Sequence, residues 1–135
     1  MRKILVGTDT SAAADLAVEA AADLARRNEA ELLVVQVRPD GAVRDAADPK
    51  KTADPDGYLT RMAARFPAVR VRSWSEPGDP AVRLVEVAER ERADTIVLGN
   101  RGTHGSRWRV RESVPELVLR HAPCSVFIVD TRAAQ

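Results

Sequence analysis

The sequence predicts an α/β fold, with a mostly parallel sheet and helices on both of its faces. Five short apolar segments rich in β-branched residues alternate along the chain with four segments of helical periodicity. Strands that alternate with helices in this way form right-handed β-α-β crossovers. Residues 32–37 (LLVVQV) are almost continuously apolar, which is typical of a strand buried on both faces. A chain of 135 residues without an internal repeat or a linker predicts one domain, 1–135.

The first half of the chain predicts strand, helix, strand and then a long loop. Residues 4–6 predict the first strand, and residues 12–27 predict a helix with Ser11 at its N-cap. On this helix Asp15 is expected to face solvent. The apolar stripe expected to face the sheet comprises Ala13, Leu16, Ala17, Ala20 and Leu24. Residues 39–57 hold three prolines and two glycines without periodicity, and they predict an exposed, mobile loop.

The second half of the chain predicts three helices and three strands. Residues 69–74 alternate between apolar and polar side chains, which indicates a strand near a sheet edge. Asp79 and Pro80 are typical of an N-cap and a first helical position, and Val82, Val85 and Ala88 are expected to face inward. The predicted helices are 58–66, 80–92 and 114–121, and the other strands are 95–98 and 125–129.

Composition excludes several classes of partner. The chain has 21 basic and 20 acidic residues and a net charge of +1, which argues against a general polyanion binder. Aromatic residues make up only 4%, too few for a base-stacking surface. No segment has the apolar length of a signal peptide or a membrane span. We therefore expect no nucleic-acid partner and no membrane partner, and the single cysteine favours a reducing, cytoplasmic location.

The segment from Gly99 to Ser113 has the composition of an anion site. It holds three glycines, four arginines and one glutamate, a local charge of +3. It follows a predicted strand, and ligands of parallel α/β sheets bind beyond the carboxyl ends of the strands. Residues 113–116 (SVPE) fit a capping box, and a glycine-rich loop that enters a helix N-terminus favours phosphate. A solvated surface loop is the alternative interpretation.

The same segment resembles the signature of the universal stress protein family. Gly99 and Gly102 are separated by two residues, and nine residues follow before Glu112 and Ser113; the family signature has glycine at the position of Glu112. The resemblance extends over nearly the whole chain. It includes residues 4–9 (ILVGTD), 78–80 (GDP), 94–99 (DTIVLG) and 121–129 (HAPCSVFIV).

The resemblance implies a sheet of order 3-2-1-4-5, a homodimer formed through the last strand (Ser125 to Val129) and an adenine nucleotide such as ATP between strands one and four. Asp9 would contact the adenine and ribose, although it can equally be a turn residue that leads into the first helix. Gly7, Val37 and Leu98 would line the adenine pocket. The rest of the implied cofactor-binding set is Thr8, Gly99, Arg101, Gly102, Ser113 and Val114.

Glu112 departs from the family signature and leaves two hypotheses open. A side chain would occupy a place where backbone should approach phosphate, and a carboxylate ~4 Å from a phosphate costs on the order of 1 kcal/mol. Glu112 can instead pair with Arg109 or Arg111. The protein is then either a stress-response regulatory module with a degenerate adenine-nucleotide site or a nucleotide-independent dimeric scaffold for unknown protein partners.

Sequence features of catalysis are scarce. The chain has no P-loop Gly-Lys-Ser/Thr motif and no acidic metal pair, so phosphoryl transfer is not predicted. Two histidines and one cysteine at scattered positions give no metal signature. Cys124 is interpreted as a core thiol. We expect a protein that is not an enzyme, with slow ATP hydrolysis left open.

Overall fold

The computed structural model describes residues 1–39, 57–100 and 113–132. The elements of these residues, in chain order, are β1 (Lys3–Thr8), α1 (Ala12–Asn28), β2 (Glu31–Arg38), α2 (Tyr58–Arg65), β3 (Val71–Pro77), α3 (Pro80–Glu91), β4 (Thr95–Gly99), α4 (Val114–His121) and β5 (Ser125–Val129). Most of the predicted 39–57 loop and the predicted loop before α4 lie outside the described residues.

The five strands form one parallel sheet of order β3-β2-β1-β4-β5, which confirms the predicted fold class and strand order. β1 is central and pairs with β2 and β4. Gly7 lies opposite Val35, and Val6 lies opposite Val97. The carboxyl ends of β1, β2 and β4 therefore meet at one edge, where the sequence predicts the ligand.

Strand alternation sends side chains to two separate cores. Ile4, Val6 and Val97 pack towards α1 and α2, whereas Leu5, Ile96 and Leu98 pack towards α3 and α4. These strand residues are at most 2% exposed, as expected for a parallel sheet covered on both faces. β3 and β5 are the two edge strands, which confirms the edge position predicted for β3.

The prediction for β3 was shifted along the chain. The sequence predicts residues 69–74, but the strand is Val71–Pro77. The Val69 amide donates to the Phe66 carbonyl oxygen at 3.0 Å, so this residue closes a turn. Pairing with β2 then continues until Pro77 lies opposite Arg38, three residues beyond the end of the alternating pattern at Trp74.

The buried faces of two helices differ from the predicted ones. α1 buries small side chains, namely Ala17, Val18, Ala21, Ala22 and Ala25. Of its predicted stripe only Ala17 is buried, because the helix approaches the sheet with its alanines. On α3, Val82 is 55% exposed and not inward-facing, because Ala81, Leu84 and Ala88 share the buried face at helical spacing, together with Val87.

The N-caps predicted for α1 and α3 are confirmed. The Ser11 hydroxyl accepts a hydrogen bond from the Ala14 amide at 3.1 Å, and the Asp79 carboxylate accepts one from the Val82 amide at 3.1 Å. These bonds satisfy amide groups that a helix start leaves without helical partners. Within the described ranges no helix has the length and apolar character needed to span a membrane.

Candidate functional site

An apolar wall lies where the carboxyl ends of β1, β2 and β4 meet. Val37 and Leu98 are each 2% exposed and Val114 is 6% exposed, and all three belong to the core on the α3 and α4 side. Gly7 packs against Leu98 of this wall and against Leu84 of α3. A Cβ atom on Gly7 would be 2.7 Å from Leu84 Cδ1, so the close packing of this wall requires glycine at that position. The structure thus brings four of the predicted site residues together.

Asp9 follows β1 directly and organises a tight turn at this wall. Its Oδ1 atom accepts hydrogen bonds from the Ser11 amide at 2.9 Å and the Ser11 hydroxyl at 2.5 Å, and the residue is 6% exposed. Thr10, between them, has φ +68°, which is uncommon for a β-branched residue. These bonds show the predicted turn role of Asp9, and its adenine contact stays a prediction.

Thr8 lies on the other face of the sheet. Its Oγ1 accepts a hydrogen bond from the Thr10 amide at 3.0 Å and contacts the Tyr58 hydroxyl at 2.9 Å. Tyr58, the first residue of α2, also donates to Asp15 Oδ1 at 2.5 Å. Burial, reinforced by the Asp15 hydrogen bond, raises the pKa of Tyr58 well above its ordinary value. Asp15 is therefore half-buried and bonded, not solvent-facing as predicted.

Gly99 packs closely against Thr131, which lies two positions after the end of β5. A Cβ atom there would lie 2.8 Å from the Thr131 methyl carbon, and Thr131 is fully buried. Asn100 Oδ1 accepts hydrogen bonds from the Thr131 amide at 3.0 Å and the Thr131 hydroxyl at 3.3 Å. Sequence reasoning assigned Gly99 to phosphate and missed Thr131, because the two are separated by a helix and a strand.

The start of α4 differs from the predicted capping box. Ser113 occupies the N-cap position, but its side chain makes no capping hydrogen bond. It is exposed, and only its carbonyl oxygen enters the helix, where it accepts from the Leu117 amide at 3.1 Å. Pro115 has no amide hydrogen to donate. The amides of Val114 and Glu116 at this N-terminus are thus not capped by Ser113, unlike the amides that Ser11 and Asp79 cap.

Three residues of the predicted phosphate site, Arg101, Gly102 and Glu112, lie outside the described residues. Among the residues that the structure does describe, no group of three His, Cys, Asp or Glu side chains could hold a metal ion. Cys124 is half-buried against the α3 and α4 core, and burial raises the pKa of its thiol, which agrees with its interpretation as a core residue.

Comparison with known proteins identifies the family. Residues 1–130 match the model of the Universal stress protein family. The chain belongs to this family. A putative universal stress protein of Staphylococcus haemolyticus is 30% identical over 140 aligned positions, which cover 96% of this chain and 85% of that protein. The resemblance stated from the sequence is confirmed.

Solved structures of universal stress proteins share the fold, and two of them contain an adenine nucleotide. One, in complex with cAMP, superposes with a TM-score of 0.75 at 28% identity and covers 96% of this chain and 97% of that chain. Another, from Archaeoglobus fulgidus in complex with dAMP, has a TM-score of 0.69 at 20% identity and covers 96% of this chain and 98% of that chain. At that lower identity the second structure supports the fold alone.

Proposed function

We propose that this universal stress protein is a regulatory module, not an enzyme, that binds an adenine nucleotide beyond the carboxyl ends of β1, β2 and β4. The observation that carries the proposal is the convergence of Gly7, Asp9, Val37 and Leu98 at one edge of the sheet. The cAMP complex of a family member at 28% identity supports the same ligand class.

The chemistry of this edge suits a nucleoside. An apolar wall accepts the flat face of a purine, and a small number of polar groups fixes its orientation. The Asp9 carboxylate can accept hydrogen bonds from ribose hydroxyls or from the adenine amino group. Because Ser11 already bonds to Asp9 Oδ1, the direction of this carboxylate is set before the ligand arrives.

The phosphate end of the proposed site is the start of α4. Amide groups at a helix N-terminus, together with the helix dipole, favour a negatively charged group. Ser113 leaves its hydroxyl out of the cap, so the hydroxyl and the Val114 amide are proposed to bind phosphate. Glu112 immediately precedes Ser113 in the sequence and adds a negative charge. We therefore propose that AMP and cAMP bind more tightly than ATP.

Calorimetric titration with AMP, cAMP and ATP tests this proposal. We expect binding of the monophosphates, and we expect Glu112→Gly to strengthen ATP binding about fivefold while AMP changes less, since relief of on the order of 1 kcal/mol of repulsion acts mainly on the larger phosphate charge. Glu116→Gln is the matched control, because it removes one negative charge from the first turn of α4 and leaves residue 112 unchanged.

Asp9→Asn examines the nucleoside end of the same site. The asparagine keeps an oxygen that can accept from Ser11 but loses the charge, so all three nucleotides should bind about tenfold more weakly. Equal affinity of wild type and Asp9→Asn for AMP would remove Asp9 from the site. Failure of wild type and Glu112→Gly to bind any of the three ligands would favour the nucleotide-independent scaffold. The presence of glutamate at position 112, where the family signature has glycine, suggests this alternative.

We also propose a homodimer formed through β5. In the part of the chain that the structure describes, five large apolar side chains are exposed, and three of them, Leu119, Phe127 and Ile128, lie on α4 or β5. β5 is an edge strand, so its outer backbone groups are available for pairing with a second strand. Light scattering at tens of micromolar should give the mass of a dimer, and a monomer would contradict the proposal.

A further inference from the structure

A continuous chain of hydrogen bonds joins the Asp9 turn to helix α1 by way of α2. The Thr10 amide donates to Thr8 Oγ1 at 3.0 Å, and Thr8 Oγ1 lies 2.9 Å from the Tyr58 hydroxyl oxygen. Tyr58 in turn donates to Asp15 Oδ1 at 2.5 Å. Because the one hydroxyl hydrogen of Tyr58 is directed to Asp15, Thr8 is the donor to Tyr58, and all three bonds point towards the Asp15 carboxylate.

This direction matters because each bond strengthens the next. Successive hydrogen bonds that end on a charged acceptor polarise one another, above all in a site that excludes water. Thr8 is fully buried and Tyr58 is 4% exposed, so water cannot readily replace a lost partner. The Thr10 amide is the first donor of the chain, and Thr10 is the residue of the turn with φ +68°. The chain therefore stabilises an unfavourable backbone conformation.

The turn conformation determines where the Asp9 carboxylate lies. Asp9 is held between Thr8, the last residue of β1, and Ser11, whose amide and hydroxyl both donate to it. A change of φ at Thr10 would move the Ser11 donors away from Asp9. We propose that Tyr58 is a positioning residue for nucleotide binding, acting through Thr8 and Thr10 on Asp9. This inference rests on the proposed adenine-nucleotide function.

A second link between the same two helices supplies the comparison for a purely structural role. Arg65 of α2 forms an ion pair with Glu19 of α1, one helical turn after Asp15. Both side chains of this pair are more than 40% exposed. The pair ties α2 to α1 as the Tyr58 to Asp15 bond does, but it includes no residue of the turn. Loss of this link should leave the Asp9 turn unchanged.

Tyr58→Phe removes one hydroxyl group and keeps the buried ring. We expect its affinity for AMP, measured by calorimetry, to fall about tenfold, because a buried hydrogen-bond chain loses its central member. Hydrogen exchange of the Thr10 and Ser11 amides should also accelerate about tenfold. Asp15→Asn, at the charged end of the chain, should change both quantities in the same direction.

Glu19→Gln is the matched control and should leave the AMP affinity and both exchange rates at their wild-type values. An unchanged AMP affinity in both Tyr58→Phe and Asp15→Asn would overturn the positioning role while leaving the proposed function intact. An equal loss of affinity in Glu19→Gln would assign the effect to the attachment of α2 to α1 in general. That result would also overturn the positioning role of Tyr58. Wild-type protein that binds no AMP would instead overturn the proposed function, and the positioning role with it.

Discussion

The two edges of the sheet are built from different chemistry. On β3 the side chains of Arg72, Trp74 and Glu76 lie on one face and join an ion-pair network with α3. Arg90 Nη2 lies 2.8 Å from Glu76 Oε2, which also accepts from Trp74 Nε1 at 2.8 Å. The Arg72 guanidinium lies 5.7 Å from the centre of the Trp74 ring. Charge and a terminal proline, Pro77, are common means of preventing edge-to-edge association.

The β5 edge lacks this protection in the residues that the structure describes. Phe127 is 47% exposed and Ile128 is 36% exposed, and they project from opposite faces of the strand. The neighbouring Leu119 of α4 is 56% exposed. An edge strand with apolar side chains on both faces is suited to pairing, whereas a charged edge is suited to solvent. The contrast supports the proposal that β5, and not β3, joins two copies of the chain.

Phe127→Asp should produce the largest effect, loss of the β5 dimer. Two new carboxylates would enter a symmetric interface without partners, and an unpaired charge in an interface costs about 2–5 kcal/mol. We therefore expect the dimer dissociation constant, measured by analytical ultracentrifugation, to rise at least about 30-fold. The variant should keep its fold, because Phe127 is already half exposed in the single chain.

Val82→Asp is the matched control for this experiment. Val82 is 55% exposed on α3, so the substitution makes the same chemical change at a similar exposure but away from β5. It should leave the dissociation constant unchanged. If Val82→Asp dissociates the protein and Phe127→Asp does not, the interface lies on α3, and the comparison of the two sheet edges does not explain assembly.

Gly99→Ala should produce the next largest effect, a loss of stability. It disturbs the contact between the end of β4 and the residues that follow β5. The new methyl group would lie 2.8 Å from the Thr131 methyl carbon, so the backbone must shift. Overpacking of this kind lowers the free energy of unfolding by about 1–3 kcal/mol. Urea denaturation measures this loss of unfolding free energy. The double variant Gly99→Ala with Thr131→Ser removes the clashing methyl and should recover most of the loss.

A loss in Gly99→Ala that Thr131→Ser fails to recover would contradict this packing explanation. A role of Gly99 in the proposed approach to phosphate would instead lower the affinity for the ligand. Urea denaturation in the presence of excess AMP separates the two explanations. A packing defect lowers the free energy of unfolding equally with and without the ligand. A defect in binding also reduces the stabilisation that the ligand gives, because a ligand stabilises the native state according to its affinity.

Local signals in the sequence predicted the elements and the sheet well. The alternation of strand and helix patterns and the resemblance at residues 4–9 and 94–99 are short-range features, and Ser11 and Asp79 form their caps within three residues. The same local reasoning placed Ser113 correctly at the N-cap of α4 but wrongly predicted a capping box there. A capping bond depends on the direction in which the chain enters the helix, and residue types do not specify that direction.

The contacts that shape the candidate site are long-range, and a single sequence does not reveal them. Tyr58 is separated by 50 residues from Thr8 and by 43 from Asp15, so no pattern predicts that they meet. The sequence shows a glycine at position 99, but it does not show that this glycine packs against Thr131. That contact exists only because β4 pairs with β5 in the sheet. The predicted buried stripe of α1 included Leu16 and Leu24 beside three alanines, but of these five residues the helix buries only Ala17.

The β3 edge should give the smallest effect, because its ion pairs are partly exposed. Arg72 Nη2 lies 2.8 Å from Glu91 Oε1 and 3.2 Å from Glu31 Oε1. Since the Arg72 side chain is 47% exposed, Glu91→Gln should lower the free energy of unfolding by only about 0.5 kcal/mol at pH 7. Glu86→Gln, which loses a pair with Arg83 inside α3, is the matched control for the removal of one charge from that helix.

The pH dependence of the Glu91→Gln effect identifies its electrostatic origin. The hydrogen bond from Arg72, opposed by burial and aided by nearby cations, holds the pKa of Glu91 below its ordinary value of 4.5. A carboxyl whose pKa is lower in the folded state stabilises the fold above its unfolded pKa and loses that contribution as pH falls. Wild type should therefore exceed Glu91→Gln in stability above about pH 4.5, and the difference should vanish as pH falls below it. A difference that persists at pH 2, or that 1 M NaCl leaves unchanged at pH 7, would assign the β3 edge to packing against Trp74 instead of charge.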